Sequence, residues 1–316
     1  MRRHDPAPAS HALTLSAAGH TLTLGERPWL MGIVNASPDS FSDAGVSPDP
    51  QTRVAHAREL LAAGADIVDI GGESAVTQRA PISVQEEIER VLPLIERVAG
   101  ELGALVSVDT YKPAVAEAAI AAGAAIVNDV SGLRDPGLAD VCAATGAALV
   151  LMHTRAAPKQ RLQDVTRYDD VCADVAGFLA QRMALACERG VREEQIVLDP
   201  GPDFAKTPAQ TITVLRALED LHALGRPLLL AVSRKDFIGA LIGRPPRERD
   251  AGTLAAIAHG VDAGAHILRV HDIAQTAEYL AVRAALRGEA PVDASLVLDE
   301  AIRHERSGQA CDELQR

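Results

Sequence analysis

Leu105-Val106-Ser107-Val108-Asp109, then the Ala-rich stretch 113–123, then Ala125-Ile126-Val127-Asn128-Asp129 is the passage that decides the fold. The outer pieces are too short for helices and rich in Val, Ile and Leu without strict alternation, the pattern of parallel strands buried on both faces. The middle piece has helical spacing. The same grammar recurs outward in both directions. Further runs lie at 30–35, 67–69, 148–153, 196–199, 228–233 and 267–271, making eight in all, with Ala-rich helical stretches such as 52–64 and 84–99 between them. Eight strand–helix units predict an α/β protein, a (β/α)8 TIM barrel, whose strands present their carboxyl ends on one face. In order, those ends carry Asn35, Asp69, Asp109, Asn128, His153, Asp199, Ser233-Arg234-Lys235 and Arg269-Val270-His271. One apolar run stopping at a polar residue is an ordinary turn; eight in series predict a site.

The bulk properties narrow the class. A length of 316 residues suits one barrel with short additions. Hydrophobic residues make up 47% and aromatics 3%, so the expected core is ample and aliphatic. The formal net charge of −12 argues against nucleic-acid binding, although a local cluster of Arg, Lys and His can still hold an anion. Cys142, Cys172, Cys187 and Cys311 are scattered with no CxxC, so no disulfide framework is expected. The N-terminus lacks an apolar h-region and no window reaches the length of a membrane span, giving the expectation of a cytoplasmic enzyme with no membrane partner.

Residues 1–27 read as an extension plus a β-hairpin, formed where 11–24 alternate Leu and Thr around Ala18-Gly19 and placed to plug the barrel's lower end. The barrel is assigned to 28–287, and 288–316 to a C-terminal helix and charged tail. Two long polar loops stand out as lids, one at 36–45 and one at 71–81.

The polar ends divide by chemistry. Asn35 offers an amide oxygen that suits a hard cation such as Mg2+, or simply starts a turn before Ser37-Pro38. Asp109, Asn128 and Asp199 supply two carboxylates and an amide, which suits the amidine-like edge of a flat heterocycle. Read singly, Asp109-Thr110 and Asp199-Pro200 are equally turn or helix caps. Lys235, Arg269 and His271 stand after the last two strands, where barrels often bind phosphate. Arg234 reads either as part of that group or as a solvated charge. Arg269 interrupts an apolar run and shares its strand face with Ile267 and His271, so it needs a partner or a ligand. His153 reads as a hydrogen-bonded structural residue. His-Glu-x-x-His, P-loop and dinucleotide-type glycine motifs are absent.

Taken in order, these ends resemble the dihydropteroate synthases of the pterin-binding barrel family over residues 29–285. The motifs are Met31-Gly32-Ile33-Val34-Asn35-Ala36-Ser37-Pro38-Asp39-Ser40-Phe41-Ser42-Asp43, Asp69-Ile70-Gly71-Gly72-Glu73-Ser74, Ser107-Val108-Asp109-Thr110, Asn128-Asp129, Asp199-Pro200-Gly201, Ser233-Arg234-Lys235 and Arg269-Val270-His271. The resemblance implies a transferase of folate biosynthesis. It would condense the diphosphate of 6-hydroxymethyl-7,8-dihydropterin with p-aminobenzoate, giving 7,8-dihydropteroate and pyrophosphate, and would be a sulfonamide target. It implies that Asp109, Asn128, Asp199 and Lys235 hold the pterin. Asn35, Arg269 and His271 would surround the diphosphate and its Mg2+, while Ser233 and Phe204 border the p-aminobenzoate slot. Lys235, Arg269 and His271 are then the catalytic expectations, and a homodimer the expected assembly. Two stretches depart from the family. Ala75-Val76-Thr77-Gln78-Arg79 stands where Thr-Arg-Pro-Gly-Ala is usual, removing an Arg fork that no neighbour simply imitates. Asp203-Phe204-Ala205-Lys206 stands where Gly-Phe-Gly-Lys is usual, so a backbone shape that needs glycine is expected to alter. The alternative reading is a paralogue that binds the pterin diphosphate with little or no synthase activity, or with another acceptor. A folate-dependent methyltransferase on the same barrel would have no use for the anion-binding residues.

Overall fold

The computed structural model describes residues 12–37, 50–73 and 80–299. Strands β1 (Leu13–Ala17) and β2 (His20–Leu24) pair antiparallel across Ala18 and Gly19, both at positive φ, the two-residue turn that matches strand twist. Eight parallel strands follow: β3 (Trp29–Asn35), β4 (Ile67–Gly71), β5 (Leu105–Asp109), β6 (Ile126–Asp129), β7 (Ala148–Met152), β8 (Ile196–Asp199), β9 (Leu229–Leu230) and β10 (Ile267–Val270). They pair in the order β8-β7-β6-β5-β4-β3-β10-β9, and a parallel bridge from Leu198 to Leu228 closes the ring. The barrel and its hairpin are therefore as the sequence predicts.

Helices α1 (Pro50–Ala62), α2 (Val84–Gly100), α3 (Pro113–Ala121), α4 (Gly137–Thr145), α5 (Val171–Glu188), α6 (Pro208–Arg216), α7 (Asp236–Ile242), α8 (Asp250–Asp262) and α9 (Ile273–Arg287) follow the barrel strands, one each except for α7 and α8, which both lie between β9 and β10. Helix α2 shows why. The Ser83 hydroxyl accepts the Glu86 N–H at its start, and Val91, Leu94, Ile95 and Val98 form one buried stripe.

Strand side chains alternate between the two faces, so every second residue points into the barrel. Ile67, Ile126, Val197, Leu229 and Ile267 pack there with Leu15, Ala17 and Leu24 of the hairpin, and Leu105 packs against them. Two residues further along the same strands stand Asp69, Ser107, Asn128, Asp199 and Arg269. On β4, β5, β6, β8 and β10 the interior thus changes from hydrocarbon to polar within one residue pair.

The run 228–233 keeps its ladder only through Leu230, because the chain turns at Ser233-Arg234. The helix expected after Pro291 does not form over 291–299. This segment is irregular, with a turn at Ala294-Ser295 where the Asp293 carboxylate accepts the Ser295 N–H, and 300–316 lie outside the described residues. The chain divides into two compact units between Ala277 and Glu278, and within the second Arg283 and Arg287 both pair with Glu289. Among the described residues no helix is long and apolar enough to cross a membrane. Cys142, Cys172 and Cys187 are free thiols, and Cys311 lies outside the described residues.

Candidate active site

The inner face of β4 brings Asp69 into the barrel fully buried, and β10 brings Arg269 across from it. Arg269 donates from Nε to Asp69 Oδ2 at 2.7 Å and from Nη2 to Asp109 Oδ2 at 3.0 Å. Asn128 Nδ2 also donates to Asp69 Oδ2, at 3.2 Å. One guanidinium thus braces two carboxylates from neighbouring strands in a fixed fork. Burial pushes the Asp109 carboxyl up to about 7, with Arg269 opposing and Asp69 reinforcing the rise. Below this group Asp69 Oδ1 and the hydroxyl of Ser107, its register partner, are buried with no hydrogen bond among the described residues.

Asp199 ends β8 and is buried. Its Oδ1 accepts the Gly201 N–H at 2.7 Å, while Oδ2 makes no hydrogen bond among the described residues. One oxygen thus builds the turn, as the capping reading of this residue expects. Burial raises its pKa, opposed by the Gly201 N–H and Lys235. Gly201 has φ +63°, and a Cβ there would lie 2.1 Å from the His153 carbonyl oxygen, so only glycine fits.

Lys235 places its Nζ 4.4 Å from the centre of the Phe204 ring, a cation–π contact. Loss of hydration lowers its pKa, with Asp203 and Asp199 opposing. Ser233 Oγ lies 2.9 Å from His271 Nδ1 and accepts the His271 N–H at 3.2 Å. Lost hydration and then the charge of Arg269 take the His271 imidazole down to about 3. It is neutral at neutral pH and can share a proton with Ser233 but carries no charge of its own.

The expected residues thus fall into three groups. Asp109, Asn128 and Arg269 are joined through Asp69, and Lys235 stacks on Phe204 beside Asp199. Ser233 and His271 form a separate pair. Arg269 stands with the carboxylates, its Nε and Nη2 both committed, where the sequence reading put it at the diphosphate. Asn35 is exposed at the end of β3, its side chain making no hydrogen bond among the described residues. Arg234 is structural: its guanidinium pairs with Asp250, and its N–H donates to Thr253. Asp129, buried beside Asn128, accepts the Ser131 and Leu133 N–H groups and builds the next turn.

In the Asp203-Phe204-Ala205-Lys206 departure the backbone takes up glycine-type conformations without glycine. Asp203 has φ 67° and Ala205 φ 52°, so two side-chain-bearing residues occupy the left-handed region. Asp203 is compensated, because its carboxylate accepts the N–H groups of Asp236 and Phe237 and the Thr211 hydroxyl. Of the two lids, 38–49 and 74–79 lie outside the described residues, and with them the whole of Ala75-Val76-Thr77-Gln78-Arg79.

Sequence reasoning assigns no role to Glu73, Lys112 or Lys206, and none to Asp69 beyond its place at a strand end. Asp69 interrupts an apolar run just as Arg269 does, so the same signal could have found it. Glu73 anchors the base of the second lid through Lys112 at 2.7 Å and Lys159 at 3.3 Å, and Lys112 reaches Glu87 at 2.6 Å. Burial would raise the Glu73 carboxyl, but these ammonium groups hold it below its ordinary range. Nothing local in the sequence marks that pairing.

The pterin-binding enzyme family model matches residues 31–271. The dihydropteroate synthase of Bacillus subtilis is 43% identical over 274 residues, covering 85% of this chain and 93% of the relative. That of Neisseria meningitidis serogroup C is 44% identical over 260 residues, covering 81% and 91%. Among solved structures, Xanthomonas albilineans dihydropteroate synthase with 4-aminobenzoic acid superposes with a TM-score of 0.80 at 42% identity, covering 89% of this chain and all of that one. The same enzyme in complex with 7,8-dihydropteroate gives a TM-score of 0.77 at 42% identity, covering 88% of this chain and all of that one.

Proposed function

The chain belongs to the pterin-binding enzyme family, and from that premise we infer that it works as a dihydropteroate synthase. It condenses 6-hydroxymethyl-7,8-dihydropterin diphosphate with p-aminobenzoate, releasing 7,8-dihydropteroate and pyrophosphate. The observation that carries this reading is the Asp69–Arg269–Asp109 brace with Asn128 and Asp199 around it, a preformed polar floor for a flat nitrogen heterocycle.

In this reading Asp109, Asn128, Asp199 and Lys235 hold the pterin. The unengaged Oδ2 of Asp199 accepts its N–H donors, and Lys235 lies above it against Phe204. Arg269 serves the ring side first, by keeping Asp69 and Asp109 in place. Departure of the diphosphate leaves positive charge on the pterin methylene, which Asp109 and Asp199 stabilise from fixed positions. Lys235, Ser233 and neutral His271 face the departing anion, and the arylamine attacks from the side bordered by Phe204 and Ser233. Positioning and charge stabilisation supply the rate, with no strong general base required.

Mg2+ is the cofactor of this reading. Asn35 contributes one neutral oxygen, and among the described residues no group of three His, Cys, Asp or Glu side chains forms a metal cage. That donor set fits a cation carried in on the diphosphate, which needs few protein ligands. When bound, it neutralises the leaving group. A homodimer belongs to the same reading and is checked by sedimentation.

The test is an assay of purified protein with the pterin diphosphate, p-aminobenzoate and Mg2+. Product that depends on both substrates and is abolished by Lys235→Ala supports the synthase. Binding of the pterin diphosphate with no product moves the chain to a non-synthase paralogue.

A further inference from the structure

Lys206 is fully buried and, among the described residues, has no carboxylate within hydrogen-bond distance. Its Nζ donates to Gly201 O at 2.9 Å and Phe204 O at 3.1 Å, and lies 2.7 Å from His153 Nδ1. A lysine donor at Nδ1 fixes the imidazole as the Nε2–H tautomer. That N–H faces Asp174 Oδ1 at 2.8 Å, and Arg155 holds the same carboxylate at 2.9 and 2.7 Å. The chain of contacts therefore runs from the turn at 201–206 to helix α5, outside the barrel interior.

An amine buried against carbonyls and a neutral ring is costly to keep charged, and burial takes its pKa down to about 7. What it holds is the turn that carries Phe204 between two left-handed residues, Asp203 and Ala205. Such backbone persists only where its surroundings over-determine it. Tyr168 adds a hydrogen bond to Ala205 O at 2.8 Å from the same side.

We propose that Lys206 is a positioning residue for the arylamine acceptor: with His153 it pins the 201–206 turn from beneath and so sets the Phe204 ring. The proposal rests on the synthase reading, in which that ring borders the p-aminobenzoate slot. It assigns Lys206 no contact with substrate. The Asp69–Arg269–Asp109 brace with Asn128, built on β4, β5, β6 and β10, makes no hydrogen bond to the pin among the described residues, and of the pterin side only Asp199, through the Gly201 N–H, and Lys235, through the Phe204 ring, border the turn.

The experiment compares Lys206→Met, His153→Asn and His153→Gln in the full chain. Each is measured for KM and kcat with both substrates, and by calorimetry for pterin diphosphate and for p-aminobenzoate on protein loaded with unreactive 6-hydroxymethylpterin. The Asn oxygen stands where Nδ1 stood and keeps the lysine's acceptor; the Gln amide stands where Nε2 stood and keeps only the Asp174 contact. Lys206→Met and His153→Gln raise the p-aminobenzoate KM about tenfold, with pterin diphosphate affinity changed less than about threefold. His153→Asn stays near wild type. Equal shifts for both substrates, no shift for p-aminobenzoate, or His153→Asn behaving like His153→Gln overturns the proposal. If Lys206→Met does not fold, the two histidine variants decide it. A wild-type protein that forms no product overturns the synthase reading instead, and the calorimetric comparison then judges the pin alone; no p-aminobenzoate binding at all overturns both.

Discussion

At its lower end the barrel is stoppered by Leu15, Ala17 and Leu24, packed on Ile67, Ile126, Val197 and Ile267. At its upper end those strands and β5 carry Asp69, Asp109, Asn128, Asp199 and Arg269, and one buried oxygen of Asp69 has no hydrogen bond among the described residues. The lower end is stable because it buries hydrocarbon, which needs only shape. The upper end holds charges whose positions depend on one another, so losing one exposes the rest. Stability and chemistry are thus separated along these strands by about two residues, roughly 7 Å.

The largest expected effect comes from breaking the upper end. Arg269→Ala leaves Asp69 and Asp109 facing each other in a buried site, at a cost of about 3–5 kcal/mol. Denaturant unfolding and pterin diphosphate titration both register it. At the lower end Leu24→Ala removes buried hydrocarbon and costs about 3 kcal/mol of stability, with kcat unchanged once the protein is folded. A kcat that falls with Leu24→Ala would erase the separation between the ends.

Acid sharpens the comparison from another side. His153 stays unprotonated in the fold down to about 3, because of burial and then Lys206, against 6.5 ordinarily. Unfolding therefore takes up a proton below about pH 6.5, and stability falls as pH falls, by about 2 kcal/mol at pH 5 from this residue. Asp109, raised to about 7 by burial, works in the opposite direction over the same window. His153→Gln isolates the imidazole: between pH 6.5 and 5 its unfolding free energy should fall by about 2 kcal/mol less than that of the wild type, whatever the sign of the remaining change.

The smallest effect concerns two neighbouring left-handed residues. Ala205→Gly relieves backbone strain and stabilises by about 1 kcal/mol. Asp203→Gly loses the carboxylate that holds the start of α7 and destabilises by a similar amount. Thermal unfolding of the pair reads opposite signs at almost the same φ.

The barrel is legible in the sequence because buried parallel strands need uninterrupted Val, Ile and Leu, and each such run ends on a polar residue. The hairpin is legible through its alternation around Ala18-Gly19. What escapes is pairing across the fold. Arg269 is recognisable as a charge in an apolar run, but its partner on β4 lies 200 residues away. Lys206 looks like the end of a loop motif, and only the folded chain brings it to His153. The glycine-free turn is hard to read from sequence because Asp203 draws compensation from α7, a helix more than thirty residues further on.

The closure of the ring between β8 and β9 rests on one bridge, Leu198 to Leu228, beside a two-residue strand. A seam with so few ladder bonds is where the barrel breathes first. Asp199 stands on one side of it, and Ser233 and Lys235 follow the other. A ligand gripping both banks acts as a suture, so its grip registers in slowed amide exchange at Leu229 and Leu230 as well as in occupancy.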